Sequence, residues 1–341
     1  MKIVFLVRRV DARDATYTTT PRACAAPRRG PPAGGARARD LPIDAAGRIL
    51  CRARRARQSR PASPEAYLAS LMGDLAEQSV VLLDAVDVLF LRGNPQVSAA
   101  TADDRFGSWV LHASLALKDR GVLVVNDPSG LMRAGSKLYL MALPESARPR
   151  TLVSSDARVV KKFLKDLGGP AVLKPLEGFG GDSVFYVRKG EVANVNQYIA
   201  ALKKDGPLVA QEYLSGARRG DKRLLLMDGA PLCAGGRPAV YRRTHPPDDM
   251  RNNMHAGGSR GRATLTSEDR AVIDAIGPRL REDGIYFAGV DLIDGKVIEV
   301  NVWSPGGIRN IDELYDADVA SAVIADLEKK VLRPGRSVRA S

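Results

Sequence analysis

Gly289-Val-Asp-Leu-Ile-Asp-Gly-Lys-Val-Ile-Glu-Val-Asn-Val-Trp-Ser-Pro-Gly-Gly307 is the stretch on which the reading of this chain turns. Two short apolar runs flank Asp294-Gly295, a dipeptide that tolerates the left-handed backbone of a tight hairpin turn. Asp291, Glu299 and Asn301 interrupt those runs where core residues belong. Glu299 and Asn301 stand two apart, so on a strand their side chains leave from one face. Set opposite Asp291, they would bring three oxygen donors together, a set suited to a hard cation such as magnesium. A plain two-residue loop, however, pairs Asp291 with Ile298 and turns Glu299 to the other face. The metal reading therefore requires a loop of odd length, or a β-bulge, at residues 294–296. An ordinary hairpin with one solvated face explains the same alternation, and at this point both readings stand.

Outward from the hairpin, 341 residues suffice for a large core and two or three domains. No apolar run approaches the length of a membrane span. Met1–Val7 is too short for a signal peptide and reads as the first buried strand of an α/β domain. Cys24, Cys51 and Cys233 are odd in number and far apart, which suggests neither a disulfide framework nor a zinc site and fits a reducing cytoplasm. Of the net charge of +13, most sits between Arg22 and Arg60, where eleven arginines face only Asp40 and Asp44. That segment has no aromatic residue for base stacking and no nucleic-acid-binding signature accompanies it. A solvated basic surface is expected there rather than a nucleic-acid site.

Strands are expected at Val86–Leu91, Val122–Asn126, Ala171–Pro175, Ser183–Val187 and Leu208–Tyr213, with a hairpin of Arg223–Met227 and Pro231–Cys233 about Asp228-Gly229. Helical spacing covers Ala66–Gln78, Trp109–Arg120, Ala157–Leu167, Val192–Lys204, Val319–Val331 and Ser267–Asp283, the last with Ser267 as candidate cap. Alternating strands and helices in the first third imply a parallel sheet. Two segments resist this rhythm. Residues 21–40 carry four prolines in their first twelve positions and place Pro-Pro-Ala-Gly-Gly-Ala-Arg-Ala where a second apolar strand belongs. Residues 235–263 are rich in Arg, Gly and Pro and read as a long functional loop.

Lys174 lies inside an apolar strand, where a lone ammonium is costly without a counter-charge. Lys137 is a second candidate cation. Gly178-Phe-Gly-Gly181 is not a P-loop, since no Gly-Lys-Ser/Thr or helix follows, but its bare amides suit phosphate oxygens. A glycine turn and a snorkelling lysine explain each feature taken singly. The strand end Gln211-Glu-Tyr-Leu214 can offer backbone groups to an adenine edge, with Asp221 as an acceptor for ribose hydroxyls. Arg251, Asn253 and His255, among glycines, suit an oxyanion or phosphate. No Ser-His-Asp or Cys-His arrangement points to a covalent nucleophile.

The order of these pieces resembles the ATP-grasp ligases, and within them the prokaryotic glutathione synthetase family. The motifs that carry the resemblance are Val172-Leu-Lys-Pro175, Gly180-Gly181, Ala210-Gln-Glu-Tyr-Leu214, Gly220-Asp-Lys-Arg223, Arg251-Asn-Asn253, Ala256-Gly-Gly258, Gly289-Val-Asp291 and Glu299-Val-Asn-Val-Trp-Ser-Pro305. It is strong over residues 120–330 and weak before them, where 21–60 match poorly and are expected to be irregular. The resemblance implies an α/β protein: an ATP-grasp fold behind an N-terminal Rossmann-like domain. The expected divisions are a substrate-side domain over 1–125, a small subdomain with the glycine loop over 126–210, a large subdomain with the metal site over 211–335, and a tail over 336–341. It assigns ATP contacts to Lys137, Lys174, Gly178, Gly180, Gly181, Gln211, Glu212, Tyr213, Leu214 and Asp221. Magnesium, or manganese, falls to Asp291, Glu299 and Asn301. Arg223, Arg251 and Asn253 would hold phosphate and the acyl intermediate, and Arg92, Ser304, Gly306 and Gly307 would face the substrates.

The reaction so implied joins γ-glutamylcysteine to glycine at the expense of ATP, in a cytoplasmic dimer or tetramer. Besides an RNA- or DNA-associated factor built on the basic segment, two rivals remain at this stage. One is an ATP-grasp ligase for a different acid and amine, because the poorly matched N-terminal part selects the acid. The other is a nucleotide-binding homologue without ligase activity.

Overall fold

Three sheets organise the chain in the computed structural model, which describes residues 1–7, 34–37, 41–55, 66, 69–71, 76–93, 104–177, 183–191, 194–245 and 258–332. The first sheet holds β1 (Ile3–Val7), β2 (Gly34–Arg37), β3 (Leu50–Arg55), β4 (Glu77–Leu82), β5 (Val88–Leu91) and β6 (Leu123–Val125) in the order β4-β3-β2-β1-β5-β6. β1 runs parallel to β2 and β5, and β5 parallel to β6, as the uninterrupted apolar runs of β1 and β5 require. Expectations fail at three places here. The second strand does form at the Gly-Gly-Ala-Arg of β2, where Val4 pairs with Gly34. Residues 41–55, expected to be irregular, carry β3, in which Cys51 and Ala53 are buried while Arg52 is exposed. A period of two is enough to make a strand although half its residues are arginine. The helix expected to reach Gln78 stops earlier, because Glu77 and Gln78 already belong to β4 and pair with Arg55 and Arg54.

The second sheet, in the order β7-β10-β8-β9, is antiparallel throughout: β7 (Thr151–Ser154), β8 (Ala171–Pro175), β9 (Phe185–Val187) and β10 (Leu208–Glu212). Its two faces differ by strand alternation. Ala171, Leu173, Leu208 and Ala210 form a core with Val160, Ile199 and Leu202 of the covering helices Ala157–Leu167 and Val195–Leu202. Lys174 and Gln211 leave from the other face. The first helix starts on an Asp156 cap and ends at Gly168, whose φ of 67° only glycine adopts without strain.

The third sheet runs β16-β15-β11-β17-β18, with a short β12 on β11. Its strands are β11 (Asp221–Met227), β12 (Ala230–Pro231), β15 (Val240–Thr244), β16 (Ser259–Arg262), β17 (Phe287–Ile293) and β18 (Lys296–Asn301), and a ribbon of β13 (Cys233–Ala234) and β14 (Arg237–Pro238) precedes β15. Residues 235–263 are thus not one long loop, since β15 and β16 pair with each other and β15 pairs with β11. Leu224, Leu226, Val290 and Leu292 share a core with Val272, Ile273, Ile276 and Leu280 of the helix Ser267–Glu282. Thr266, not Ser267, caps that helix. Its hydroxyl accepts from the Asp269 amide at 3.2 Å, and the Asp269 carboxylate accepts from the Thr266 amide at 2.9 Å.

The first and third sheets share their interior. Two continuous cores, one including Leu6, Leu89 and Leu226 and the other Phe5, Phe90 and Phe287, cross from one sheet to the other. Asn126, buried just after β6, fastens the junction. It donates to the carbonyls of Phe287 and Val302 at 2.7 Å each and accepts from the Phe287 amide at 2.6 Å. The second sheet has a core of its own.

Candidate active site

The hairpin β17–β18 turns through Asp294 and Gly295, with φ of 46° and 65°, so the loop is the plain two-residue kind. Ile293 pairs with Lys296 and Leu292 with Val297. The register then shifts by one, and Asp291 pairs with Glu299. The extra residue is Ile298. The bulge that the metal reading requires is present, but inside β18 rather than at residues 294–296. It returns Asp291 and Glu299 to one face, with Asn301 two residues on. The Asn301 Nδ2 lies 3.5 Å from Asp291 Oδ2 and 3.4 Å from the Gly289 carbonyl.

Asp291 is 1% exposed and sits between two guanidinium groups. Arg223, its cross-strand neighbour on β11, donates through Nε to Oδ1 and through Nη2 to Oδ2 at 3.0 Å. Arg243 of β15 reaches Oδ2 at 2.9 Å and grips both oxygens of buried Asp221 at 2.7 and 2.9 Å. Asp221, Arg243, Asp291 and Arg223 therefore alternate in sign through the buried centre of the sheet. Burial would push the Asp291 carboxyl up, but Arg223 and then Arg243 outweigh it and hold the group at about 2. Asp221 was expected at the ribose, whereas its carboxylate is turned into the sheet and filled by Arg243. Sequence reasoning missed Arg243. The available signal was Val240-Tyr241, a β-favouring pair just before it, obscured by the arginines that follow.

Lys174 is 8% exposed and extends from the second sheet toward the hairpin. Its ammonium donates to Gln211 Oε1 at 3.0 Å and to the carbonyl of Ile298, the bulge residue, at 3.4 Å. Burial lowers its pKa to about 8, aided by the charge of Lys137 and opposed by Glu299 and Asp291. Lys137 donates to the Glu177 carbonyl at 3.3 Å, and burial lowers its pKa against the pull of Glu299 and Glu177. Arg223 and Arg243 from the third sheet, Lys174 from the second and Lys137 from the short helix Lys137–Ala142 thus converge on the two acids of the hairpin. Such a concentration of cations favours a polyanion beside them.

The strand end after β10 is well anchored. Gln211 spans Lys174 and Thr151, and the Glu212 carboxylate accepts from the Arg150 amide at 3.2 Å. The Tyr213 ring meets Tyr186 edge-on at 4.9 Å, and the Leu214 carbonyl accepts from the Ala217 amide at 3.0 Å. Arg92 is buried with its guanidinium over the rings of Phe90 and Phe287, at 5.6 and 5.7 Å, and donates to the Pro305 carbonyl at 3.4 Å. Ser304 Oγ donates to the Arg92 carbonyl at 3.3 Å. A side chain at Gly306 would meet open space, whereas at Gly307, with φ 126°, a Cβ would come within 3.0 Å of the Tyr241 ring. Gly178, Gly180, Gly181, Arg251 and Asn253 lie outside the described residues.

The donor chemistry of the hairpin fits a divalent cation. Among the described residues no three His, Cys, Asp or Glu side chains gather at one point. Asp291, Glu299 and Asn301 instead share one face of the hairpin, and as ligands they would leave several coordination positions to phosphate oxygens and water. Magnesium commonly binds in this manner.

A small antiparallel sheet that sends Lys174 toward the carboxylate hairpin of a larger one, with Lys137 beside it, is the arrangement of an ATP-grasp enzyme. Residues 136–316 match the family described as "Prokaryotic glutathione synthetase, ATP-grasp domain". The chain belongs to the prokaryotic glutathione synthetase family. It is 38% identical over 245 residues to the glutathione synthetase of Synechococcus elongatus, covering 71% of each chain. To that of Agrobacterium fabrum it is 34% identical over 268 residues, covering 77% of this chain and 79% of the other. Among solved structures, the ATP-grasp ligase PsnB, complexed with a phosphomimetic variant of its minimal precursor, Mg and ADP, shares the fold. Its TM-score is 0.63 at 18% identity, covering 96% of this chain and 98% of that one.

Proposed function

We propose that this chain is an ATP-dependent glutathione synthase, joining γ-glutamylcysteine to glycine with release of ADP and phosphate. Relatives named glutathione synthetase, 38% and 34% identical over about three quarters of their length, support the reading. The observation that carries it is the bulged hairpin, which sets Asp291 and Glu299 side by side opposite Lys174. Of the two carboxylates of γ-glutamylcysteine, the cysteinyl one, not the glutamyl α-carboxylate, attacks the γ-phosphorus as the bond to ADP breaks. The glycine amine then attacks the acyl phosphate carbon, phosphate leaves, and the amine loses a proton to solvent.

Asp291, Glu299 and Asn301 would hold magnesium, which offsets the phosphate charge when bound. Lys137 and Lys174 would bind the nucleotide phosphates, and the backbone of Glu212, Tyr213 and Leu214 would meet the base. Arg223, with Arg251 and Asn253, would steady the leaving phosphate and the oxyanion. Closure of the Gly178–Gly181 loop would keep water from the acyl phosphate. A cytoplasmic homo-oligomer of two or four chains goes with this reading.

One observation favours a second reading, a ligase of the same class for another acid. Arg92, expected to face the substrate, is instead packed on two phenylalanines. Incubation with ATP, magnesium, glycine and γ-glutamylcysteine, read by mass, separates the two. Glutathione with stoichiometric ADP is the expected outcome. ADP release only with other acid–amine pairs supports the second reading, and no turnover with any pair sinks both.

The Lys174 pKa of about 8 gives the site a pH dependence. Its ammonium, the form that attracts phosphate, predominates below that value and is lost above it. Bound phosphate oxygens raise the pKa, so binding above pH 8 must take up a proton. ATP affinity should be full at pH 7 and weaken between pH 8 and 9, by up to about tenfold per unit. Calorimetry in buffers of different ionisation enthalpy would reveal the uptake. A flat affinity profile from pH 7 to 9 would contradict the assignment.

A further inference from the structure

We infer that Thr151 and Gln211 are positioning residues that hold the ammonium of Lys174 in place for the nucleotide. This rests on the proposed nucleotide role of Lys174. Thr151 is on β7 and Gln211 on β10, and the two are direct cross-strand partners. Their side chains form a chain of hydrogen bonds that ends at the lysine. Thr151 Oγ1 lies 2.8 Å from the Pro149 carbonyl, which can only accept, so the hydroxyl spends its one proton there. Toward Gln211 the hydroxyl is then an acceptor only, and it meets Nε2 at 3.0 Å. That fixes which way the glutamine amide points. Its oxygen is turned to Lys174, 3.0 Å from Nζ.

The direction matters because a carboxamide has two unlike ends. Without Thr151 the amide is free to flip and present its NH2 group to the ammonium, donor against donor. The second acceptor of Lys174, the Ile298 carbonyl, belongs to the bulge that registers Asp291 against Glu299. The relay therefore aims the lysine from the small sheet at the point where the large sheet presents its carboxylates. Gln211 and Lys174 are buried, so water is a poor substitute for a missing partner.

The test is steady-state kinetics on the full-length enzyme. Thr151→Val keeps the shape and β-branching of the side chain but removes the acceptor. It should raise the KM for ATP about fivefold, the scale of one hydrogen bond, with kcat and the KM for glycine within twofold of the parent. Thr151→Ser should restore the ATP KM. Gln211→Met should raise it at least as much, and adding Thr151→Val to Gln211→Met should change nothing further, because the link is already cut. Gln211→Met also reports on the link if Thr151→Val fails to fold. If Lys174→Met raises the ATP KM while Thr151→Val and Gln211→Met leave it within twofold, the relay is overturned and the ligase reading stands. If Lys174→Met leaves it unchanged, the nucleotide role of the lysine falls and the relay with it.

Discussion

Glu299→Gln is expected to reduce kcat for peptide-bond formation by about 10²–10³-fold while the protein remains folded. Of the two hairpin acids, Asp291 is buried and already ligated by Arg223 and Arg243, so its charge serves the sheet as well as the cleft. Glu299 is only half-buried and lies within electrostatic reach of Lys137 and Lys174, on the cleft side. Its oxygens are therefore the ones placed for a cation shared with phosphate. Glutamine has nearly the same shape, so the bulge and strand pairing should persist, and the loss should appear together with a raised magnesium half-saturation. Raising the magnesium concentration should recover part of the rate. A variant with the parent's rate and the parent's magnesium half-saturation would remove Glu299 from the metal site.

Arg243→Met should destabilise the fold by about 3–5 kcal/mol in urea titrations, the cost of breaking a buried ion pair from one side. Arg243 is nearly inaccessible and contacts two carboxylates, so its loss leaves Asp221 without its bidentate partner and Asp291 with one arginine instead of two. The remaining charges cannot reach water without opening the sheet between β11 and β15. Adding Asp221→Asn should recover a substantial part of the loss, because the double variant buries one anion fewer. That non-additivity separates a charge effect from a packing effect. A loss below about 1 kcal/mol would show that the cluster is hydrated and contributes little.

The sequence discloses local chemistry better than long-range register. The Asp294-Gly295 turn, the Asp156 and Gly168 ends of the helix Ala157–Leu167 and the apolar run of β1 are legible because neighbouring residues determine them. The bulge at Ile298 is not. An isoleucine between Val297 and Glu299 looks like any strand residue, and its displacement depends on pairing with β17 and on Lys174 reaching its carbonyl. β15 and β3 were hidden for a different reason. Arginine is usually a surface residue, so Val240-Tyr-Arg-Arg-Thr244 and Leu50–Arg55 look like solvated loops. Arg243 is buried only because Asp221 and Asp291, from β11 and β17, wait for it across the sheet. The resemblance singled out the hairpin acids and both lysines as candidates, but the motif order had no place for Arg243 or Thr151.

The hydrogen bonds of Asn126 have a mechanical consequence. One side chain grips β17 at Phe287 and the chain just beyond β18 at Val302, while two cores run unbroken beneath it. The first and third sheets are therefore fastened together as one bed, whereas the second sheet keeps a separate interior. Lys174 belongs to the second sheet, whereas Lys137 opens the short helix Lys137–Ala142, whose Tyr139 and Leu140 are in the bed's core, and so stays on the bed with the carboxylates. A nucleotide bound as proposed would lie against the gap between Lys174 and the β17–β18 hairpin, with the first sheet fixed relative to that hairpin through Asn126.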